Sequence, residues 1–173
     1  MIRITNLKEK FSPLVSNGRS VTIAFDYVPF YDIDENGNKV ETSLGTWSVH
    51  TFTTKVNINQ VKAFILEEIN KRTDEAILSS FTWKEMPVWL STENQFNYKA
   101  AYDLAVQTNG ANLPTVFKFG DTENPKYYKF DTLEELQDFY LKAMQYINEQ
   151  LAIGWAKKDS IDWSVYEEAL KQN

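Results

Sequence analysis

The chain contains no cysteine and only one histidine, His50, among its 173 residues. Disulfide bridges and thiolate chemistry are therefore excluded, and a zinc site would have to combine His50 with carboxylates alone, which is unusual. His50 also has no nucleophile at a recognisable spacing, so we expect a partly exposed strand histidine rather than a general base. The sequence therefore carries no recognisable thiol-based, histidine-based or zinc signature.

Long apolar runs are also missing, and no stretch approaches the roughly 20 apolar residues of a membrane-spanning helix. The first residues, MIRITNLKEKF, lack the apolar segment of a signal peptide. We therefore expect no membrane partner, and synthesis in a cytoplasm with any later destination reached by assembly. The formal net charge of −6 argues against a nucleic-acid partner, because gripping phosphates requires clustered lysines and arginines.

The glycines are scattered and never form a phosphate-cradling pattern, so we expect no nucleotide cofactor. The paired carboxylates Glu67-Glu68, Glu134-Glu135 and Glu167-Glu168 lie on predicted helices whose other face is apolar. Such pairs are most simply solvated faces, and nothing marks two carboxylates as the acid and the nucleophile of a glycosidase. We predict that the protein is not an enzyme and uses no cofactor.

The first third of the chain has the alternating pattern of β-strands. Apolar and polar residues alternate from Val21 to Tyr27 and again from Trp47 to Phe52, with Asn36-Gly37 between them. Two such runs around an Asn-Gly pair are typical of a hairpin. We predict a long antiparallel ribbon with a bulge near Gly45.

The pattern changes to helical spacing at Asn57, which with Gln60 resembles a capping box. Thr73 is expected to cap a second short helix, and Asp131 with Glu134 to cap the longest one. Either Ser160 or Asp162 would cap a last short helix. The longest helix carries a heptad-like seam, which is either intramolecular core, the interpretation we favour, or a self-association face: Leu133, Leu136, Tyr140, Met144, Ile147 and Leu151.

The helix predicted over residues 92–107, with Ser91 as its N-cap, is apolar around most of its circumference. A helix of that kind is expected to be buried on several sides. The alternative is that one of its apolar faces belongs to another subunit. Beyond it, residues 115–130 predict a second short hairpin.

These patterns together predict an α+β fold. It consists of an N-terminal antiparallel hairpin or sheet over residues 1–56, followed by an α-helical part over residues 57–173. The second part contains the hairpin 115–130 and a long C-terminal helix. The boundary is only a change of period, and one core shared by the two parts is the alternative.

The most specific motif is the run from Asp32 to Gly37, in which Asp32, Asp34 and Asn36 place oxygens at alternate positions before a glycine. This resembles the first half of an EF-hand calcium loop. Ser43, however, stands where that loop needs a bidentate glutamate, and the flanking pattern is β. We favour a solvated hairpin turn, with a weak calcium loop as the alternative.

An aromatic and amide cluster surrounds the start of the helix at residue 92. It could form an interface or a glycan- or peptide-binding patch, because aromatics with amides suit partly wet recognition surfaces. The alternative is that the aromatics are core and the amides satisfy loop backbone, which is the commoner fate of such residues. The residues concerned are Trp83, Trp89, Asn94, Gln95 and Tyr98.

Three runs resemble a domain of unknown function found in small proteins of phages and prophages of gut bacteria. They are MPVWLSTENQFNYKAAYDLAVQ, LPTVFKF and FDTLEELQDFYLKAMQYINEQLAIGWAKKDSIDW. A related pattern occurs in some phage tail-fibre-associated proteins, and the run VTIAFDYVPFYDIDENG is similar to the same small proteins. The resemblance covers roughly residues 57–173 and carries no assigned catalytic residues.

The resemblance implies a virion-associated or assembly role, in the tail or the head. We therefore expect a non-enzymatic phage structural or accessory protein, located in the virion, that acts through contacts with other phage structural proteins or with further copies of itself. A glycan- or peptide-binding module is the alternative. The β-ribbon and the region Trp83–Tyr98 are the expected anchors, because buried aromatics carry much of the energy of protein interfaces.

Overall fold

The computed structural model describes residues 2–7, 14–17, 19–121 and 123–171, with the backbone alone for 2–7. Within this part of the chain the fold is α+β, as predicted. Its elements, in order, are β1 (Ile2–Leu7), β2 (Leu14–Ser16), β3 (Val21–Ile33), β4 (Lys39–Phe52), α1 (Ile58–Ser79), β5 (Thr82–Trp83), β6 (Met86–Pro87), α2 (Thr92–Gln107), β7 (Thr115–Gly120), β8 (Pro125–Phe130), α3 (Leu133–Asp159) and α4 (Ser164–Lys171).

The chain divides into two compact units. The first contains residues 1–68 and 157–173, and the second contains residues 69–156. The division falls inside α1 and inside α3. The first stretch of α1 and the C-terminal helix α4 thus belong with the N-terminal strands, whereas the change of period at residue 57 marks only the start of α1.

The first unit is built on an antiparallel sheet with strand order β1-β4-β3-β2. The predicted ribbon is the β3–β4 pair, and its register shifts twice, between Phe25 and Val28 and between Pro29 and Tyr31. Gly45 lies between these irregularities, and an added Cβ there would come within 2.4 Å of the carbonyl oxygen of Val28. The predicted bulge near Gly45 is therefore confirmed, and only glycine fits that close approach.

The inner face of the sheet packs against α1 and α4. Val61 and Ile65 of α1, which lie four residues apart on one face of the helix, are fully buried. The hydroxyl of Tyr166 on α4 donates to the carbonyl oxygen of Ala24 at 2.6 Å. Burial raises the pKa of Tyr166 to about 12, so this phenol remains a donor throughout the physiological range. Lys62 of α1 forms an ion pair with Glu167 at 2.9 Å.

The second unit has an aromatic core. Tyr98 of α2, Phe117 and Phe119 of β7, Phe130 of β8 and Phe139 of α3 lie with ring centroids 4.7–6.4 Å apart. Such distances are typical of packed aromatic pairs. The heptad-like seam of α3 lines this core from Leu133 to Leu151. Its assignment to intramolecular packing is confirmed.

Several predicted helix ends are confirmed by their hydrogen bonds. Asn57 and Gln60 exchange the two reciprocal bonds of a capping box, at 2.9 and 3.1 Å. The hydroxyl of Ser91 accepts from the amide of Asn94 at the start of α2. Of the two alternatives for α4, Asp162 accepts from the amide of Ser164.

Two predicted caps are wrong. Thr73 does not begin a helix but lies within continuous α1, where its hydroxyl donates to the carbonyl of Ile69 four residues earlier. At the start of α3 the backbone amide of Glu135 donates to the hydroxyl of Thr132. Asp131 instead forms an ion pair with Lys129. At Thr73 no helix begins, and at the start of α3 the neighbouring Thr132 takes the capping role predicted for Asp131.

The prediction that α2 is buried on several sides is also wrong. Only Tyr98 and Ala105 of this helix are buried, whereas Phe96 is 70% exposed and Leu104 and Val106 are about half exposed. Tyr102 is half-buried and stacks on Tyr140, whereas Phe96, Leu104 and Val106 face outward in the single chain. No helix in the described part of the chain is long and apolar enough to cross a membrane.

Candidate functional site

The five residues predicted as an interface or binding cluster do not share one surface. The structure places two of them in the core of the second unit. Trp83 is 4% exposed and packs with its ring against Phe130 and Phe139. Tyr98 is 3% exposed, and burial raises its pKa to about 12. These two aromatics stabilise the fold and are closed to a ligand.

The two amides of the cluster satisfy loop backbone. Asn94 donates through Nδ2 to the carbonyl oxygen of Trp89 at 2.8 Å, and Gln95 donates through Nε2 to that of Leu90 at 2.7 Å. These bonds hold the segment before α2 against its first turn, as the packing alternative predicted. Their effect on any ligand is therefore indirect, through the position of the Trp89 backbone.

Trp89 is the member of the cluster that stays open, with 52% of its surface exposed. It follows the small hairpin β5–β6 and precedes the N-cap residue Ser91. The segment that carries it is held by the two side-chain hydrogen bonds from Asn94 and Gln95, so little conformational freedom would be lost if Trp89 were covered. Its predicted role in binding remains a prediction.

The outer face of α2 is a surface that the sequence interpretation assigned to the core. Phe96, Ala100 and Leu104 follow one another at intervals of four residues and are all exposed. At 100° per residue they form one apolar stripe. Beside this stripe, Lys99 and Asp103 form an ion pair at 2.5 Å. The alternative that one apolar face of this helix belongs to another subunit stays a prediction.

The outer end of the β3–β4 ribbon is a second apolar surface. Among the described strands, β1 pairs with residues 44–49 and β2 with residues 21–23, while residues 31–33 pair only with residues 39–41. Because neighbours along a strand point to opposite faces, the exposed apolar side chains lie on both sides of this ribbon. They include Tyr31, Ile33 and Val40.

The ribbon ends in the predicted turn. The carboxylate of Asp34 accepts from the amides of Asn36 and Asn38 and from the side-chain amide of Asn38, at 2.8–3.1 Å. These bonds lower the pKa of Asp34, the backbone bond from Asn38 contributing most. Asp32 lies in β3, and Ser43, at the position of the missing glutamate, lies in β4. The predicted hairpin turn is confirmed, whereas the weak calcium loop stays a prediction.

The described residues were compared with the requirements of a metal site and of a small-molecule site. No group of three or more histidine or acidic side chains there is placed to hold a metal ion. A cleft of about 160 Å³ in the first unit is lined by Arg19, Lys55, two serines and three aliphatic side chains. Its volume is below the 300–1,000 Å³ that is usual for small-molecule sites.

One cluster of charged groups in the second unit was not recognised in the sequence. Lys84 donates to the hydroxyl of Tyr128 and to the carboxylate of Glu135, and Tyr128 also donates to Glu135. The bond to Glu135 is the main cause of the raised pKa of Lys84, and the same bond lowers the pKa of Glu135. This network joins the β5–β6 turn to β8 and α3, and each member has its partner within the fold.

Residues 60–172 match the family model described as Domain of unknown function (DUF4376), which is more than half of the 173-residue chain. The chain belongs to the DUF4376 family. Comparisons with curated proteins and with solved structures found no match.

The DUF4376 match begins within the first turn of α1 and ends beyond α4. It therefore contains the aromatic core of the second unit, Trp89 and the outer face of α2. The four strands of the sheet and the β3–β4 ribbon precede it. Of the two apolar surfaces, the α2 face lies within the family domain and the ribbon lies outside it.

Proposed function

We propose that this DUF4376 protein is a non-enzymatic structural or accessory component of a phage particle, in the tail or the head, that works through protein–protein contacts. The observation that carries the proposal is the β3–β4 ribbon with exposed apolar side chains on both faces. These side chains expose apolar surface to water, and exposed apolar patches are typical of interaction sites.

The ribbon also suits a partner of defined chemistry. Its outer end carries Asp32, Asp34 and Glu35 beside Lys39, whose ammonium lies 5.6 Å from the ring centre of Tyr31. An acidic tip with apolar flanks fits a partner that offers an apolar groove with basic residues at its rim. Pro29 and the register shifts interrupt the regular edge, which disfavours simple strand addition.

The assignment to a phage particle rests on the resemblance of the runs around Trp89, Phe117 and α3 to small phage and prophage proteins. Quantitative mass spectrometry of purified particles from a phage that encodes the chain tests it. A fixed copy number per particle is the expected result, and its value would indicate a symmetric position. Absence from particles, together with abundance in infected cells, would reject a virion location.

A glycan- or peptide-binding module is the second candidate, and the exposure of Trp89 is the observation that favours it. Intrinsic fluorescence should then change when surface glycans are titrated into the protein, and the change should disappear in Trp89→Phe. No response in the unaltered chain would reject this candidate and would leave protein contact as the use of Trp89.

A further inference from the structure

We propose that the outer face of α2 is a contact between two copies of this chain, with the two α2 helices antiparallel about a two-fold axis beside Ala100. The inference rests on the proposed function only in assuming contact between proteins, and it adds the identity of one partner. It uses residues of the second unit alone.

The face is wide enough to receive another helix. At 100° per residue, seven residues of α2 fall within a sector of about 120° centred on Ala100. Six of them are exposed and Asp103 is half-buried. They are Glu93, Phe96, Asn97, Ala100, Asp103, Leu104 and Gln107. Phe96, at 70% exposure, would gain most from being covered.

The order of polar and apolar residues on this face is symmetric about Ala100. A two-fold axis beside Ala100 places residues that are equally far before and after it opposite each other. Phe96 then meets Leu104 of the second copy, apolar against apolar. Asn97 and Asp103 lie at the same height on opposite edges of the contact, so both stay beside solvent. At the ends of the contact Glu93 meets Gln107, a carboxylate opposite an amide.

Self-complementarity of this kind favours a second copy over an unrelated partner, because only a symmetric contact requires one surface to match itself. It also selects the direction of the helices. A parallel pair in register would place Glu93 against Glu93, which is repulsive. An antiparallel pair removes this repulsion and opposes the two helix dipoles favourably. The small side chain of Ala100 lets the helices approach closely at the axis.

The contact is small. One face of a 16-residue helix offers less than the roughly 800 Å² per partner of a standard interface, so the association should depend on concentration. Sedimentation equilibrium over a range of concentrations should detect a monomer–dimer exchange. Leu104→Glu, which places a charge opposite Phe96, should shift the protein to monomer. Leu141→Glu, a change at a similarly exposed leucine of α3, should leave the exchange unaltered.

Disulfide trapping tests the geometry itself, because the chain has no cysteine of its own. A residue on the axis lies next to its own copy, and a disulfide requires Cα atoms about 4.4–6.8 Å apart. Ala100→Cys should therefore form a covalent dimer under mild oxidation. Ala152→Cys, at an exposed alanine of α3, is the matched control and should stay monomeric.

Two further variants distinguish this axis from a general tendency to associate. Phe96→Cys alone and Leu104→Cys alone should remain uncrosslinked, since each lies far from its own copy along an antiparallel pair. An equimolar mixture of the two should give the mixed disulfide. Crosslinking of Ala100→Cys no faster than of Ala152→Cys, or a wild-type chain that is monomeric at all concentrations, would overturn the proposal.

The two proposals fail separately. A monomeric chain that is nevertheless present in particles at fixed copy number would reject the α2 pair and retain the virion role. A dimer trapped through Ala100→Cys in a protein absent from particles would retain the pair and reject the virion role.

Discussion

The imidazole ring of His50 on β4 is stacked on the ring of Phe64 on α1, with centroids 3.9 Å apart and an interplanar angle of 26°. Phe52 packs edge-on against both rings. The single histidine of the chain thus lies in the aromatic contact between the sheet and α1, where a neutral imidazole is a good packing partner and a charged one is costly.

This contact makes stability depend on pH. Burial lowers the pKa of His50 below its ordinary value of 6.5, and the nearby Glu68 opposes the shift only in part. The unfolded chain therefore binds the proton more readily than the folded one. The contribution of neutral His50 is fully present above pH 6.5 and is lost as pH falls below that value toward the folded pKa.

We expect the free energy of unfolding to fall between pH 7.5 and pH 5.5 in the unaltered chain and to fall less in His50→Phe, which keeps the stacked ring. Chemical denaturation monitored by circular dichroism across this range measures both. Parallel pH profiles for the two proteins would contradict the prediction.

Gly154 of α3 lies against Thr73 of α1, and a Cβ added to Gly154 would come within 2.5 Å of the Thr73 hydroxyl oxygen. Thr73 is β-branched and its hydroxyl is bonded to the Ile69 carbonyl, so it cannot move aside freely. We expect Gly154→Ala to destabilise the protein by about 1–3 kcal/mol, despite the better helix propensity of alanine.

A double-mutant cycle provides the control for this prediction. Thr73→Ala removes the hydroxyl oxygen and the methyl carbon that would lie 2.5 and 3.3 Å from the new Cβ. Gly154→Ala should therefore lower the free energy of unfolding much less in that background. Equal losses of unfolding free energy in the two backgrounds would show that crowding by Thr73 is not the cause.

The two-residue turn between β5 and β6 is formed by Lys84 and Glu85, with φ of 46° and 64°. Side chains other than glycine, asparagine and aspartate rarely adopt this region, which costs roughly 1–2 kcal/mol per residue. Lys84 is held there by Tyr128 and Glu135, whereas Glu85 is exposed. Glu85→Gly should raise the free energy of unfolding by about 1 kcal/mol.

The matched control for Glu85→Gly is Glu75→Gly, at an exposed glutamate within α1. The same replacement there should lower stability by about 1 kcal/mol, because glycine is unfavourable inside a helix. Thermal denaturation of both variants decides the matter. A loss of stability in both would show that the turn stores no strain at Glu85.

Trp83 and Trp89 are six residues apart and should behave oppositely. Trp83→Ala removes a buried ring and should cost about 3–5 kcal/mol of stability. Trp83→Phe should cost less, since it keeps an aromatic ring and removes an indole N–H that is buried without a described hydrogen-bond partner. Trp89→Ala should leave the fold intact, as judged by circular dichroism and denaturation.

For function, the informative residue is Trp89. If Trp89 is a contact residue, Trp89→Ala should abolish incorporation of the chain into particles while the purified protein stays folded. Unfolding of Trp89→Ala would identify Trp89 as a core residue. Normal incorporation of a folded Trp89→Ala chain would remove it from the interface.

Local features were predictable because their causes are local. The Asp34 turn, the capping box of Asn57 and Gln60 and the cap at Ser91 each depend on residues within four positions of one another. Alternation of apolar residues similarly assigned the faces of β3 and of the 115–130 hairpin. Asp131 and Thr132 are both suitable N-cap residues, and the sequence pattern alone led to the wrong one.

The β5–β6 hairpin and the Lys84 network were missed because their determinants are distant in the chain. Lys-Glu is not a turn sequence by propensity, and the turn is stabilised by Tyr128 and Glu135, more than 40 residues away. The exposure of α2 was missed for a related reason. An apolar residue on a helix has the same spacing whether its face is covered by the same chain, by another copy or by water.

The sequence by itself determined the α+β class, the ribbon, the principal helices and the lack of cysteine chemistry, since these follow from composition and from short-range periodicity. Only the tertiary structure decided which large apolar side chains are buried and which are exposed. Trp83 and Tyr98 are buried by β7, β8 and α3, whereas Trp89, Phe96 and Leu104 lie where no described element of the second unit covers them. Burial is a property of neighbours brought together by folding, and spacing along one segment does not contain it.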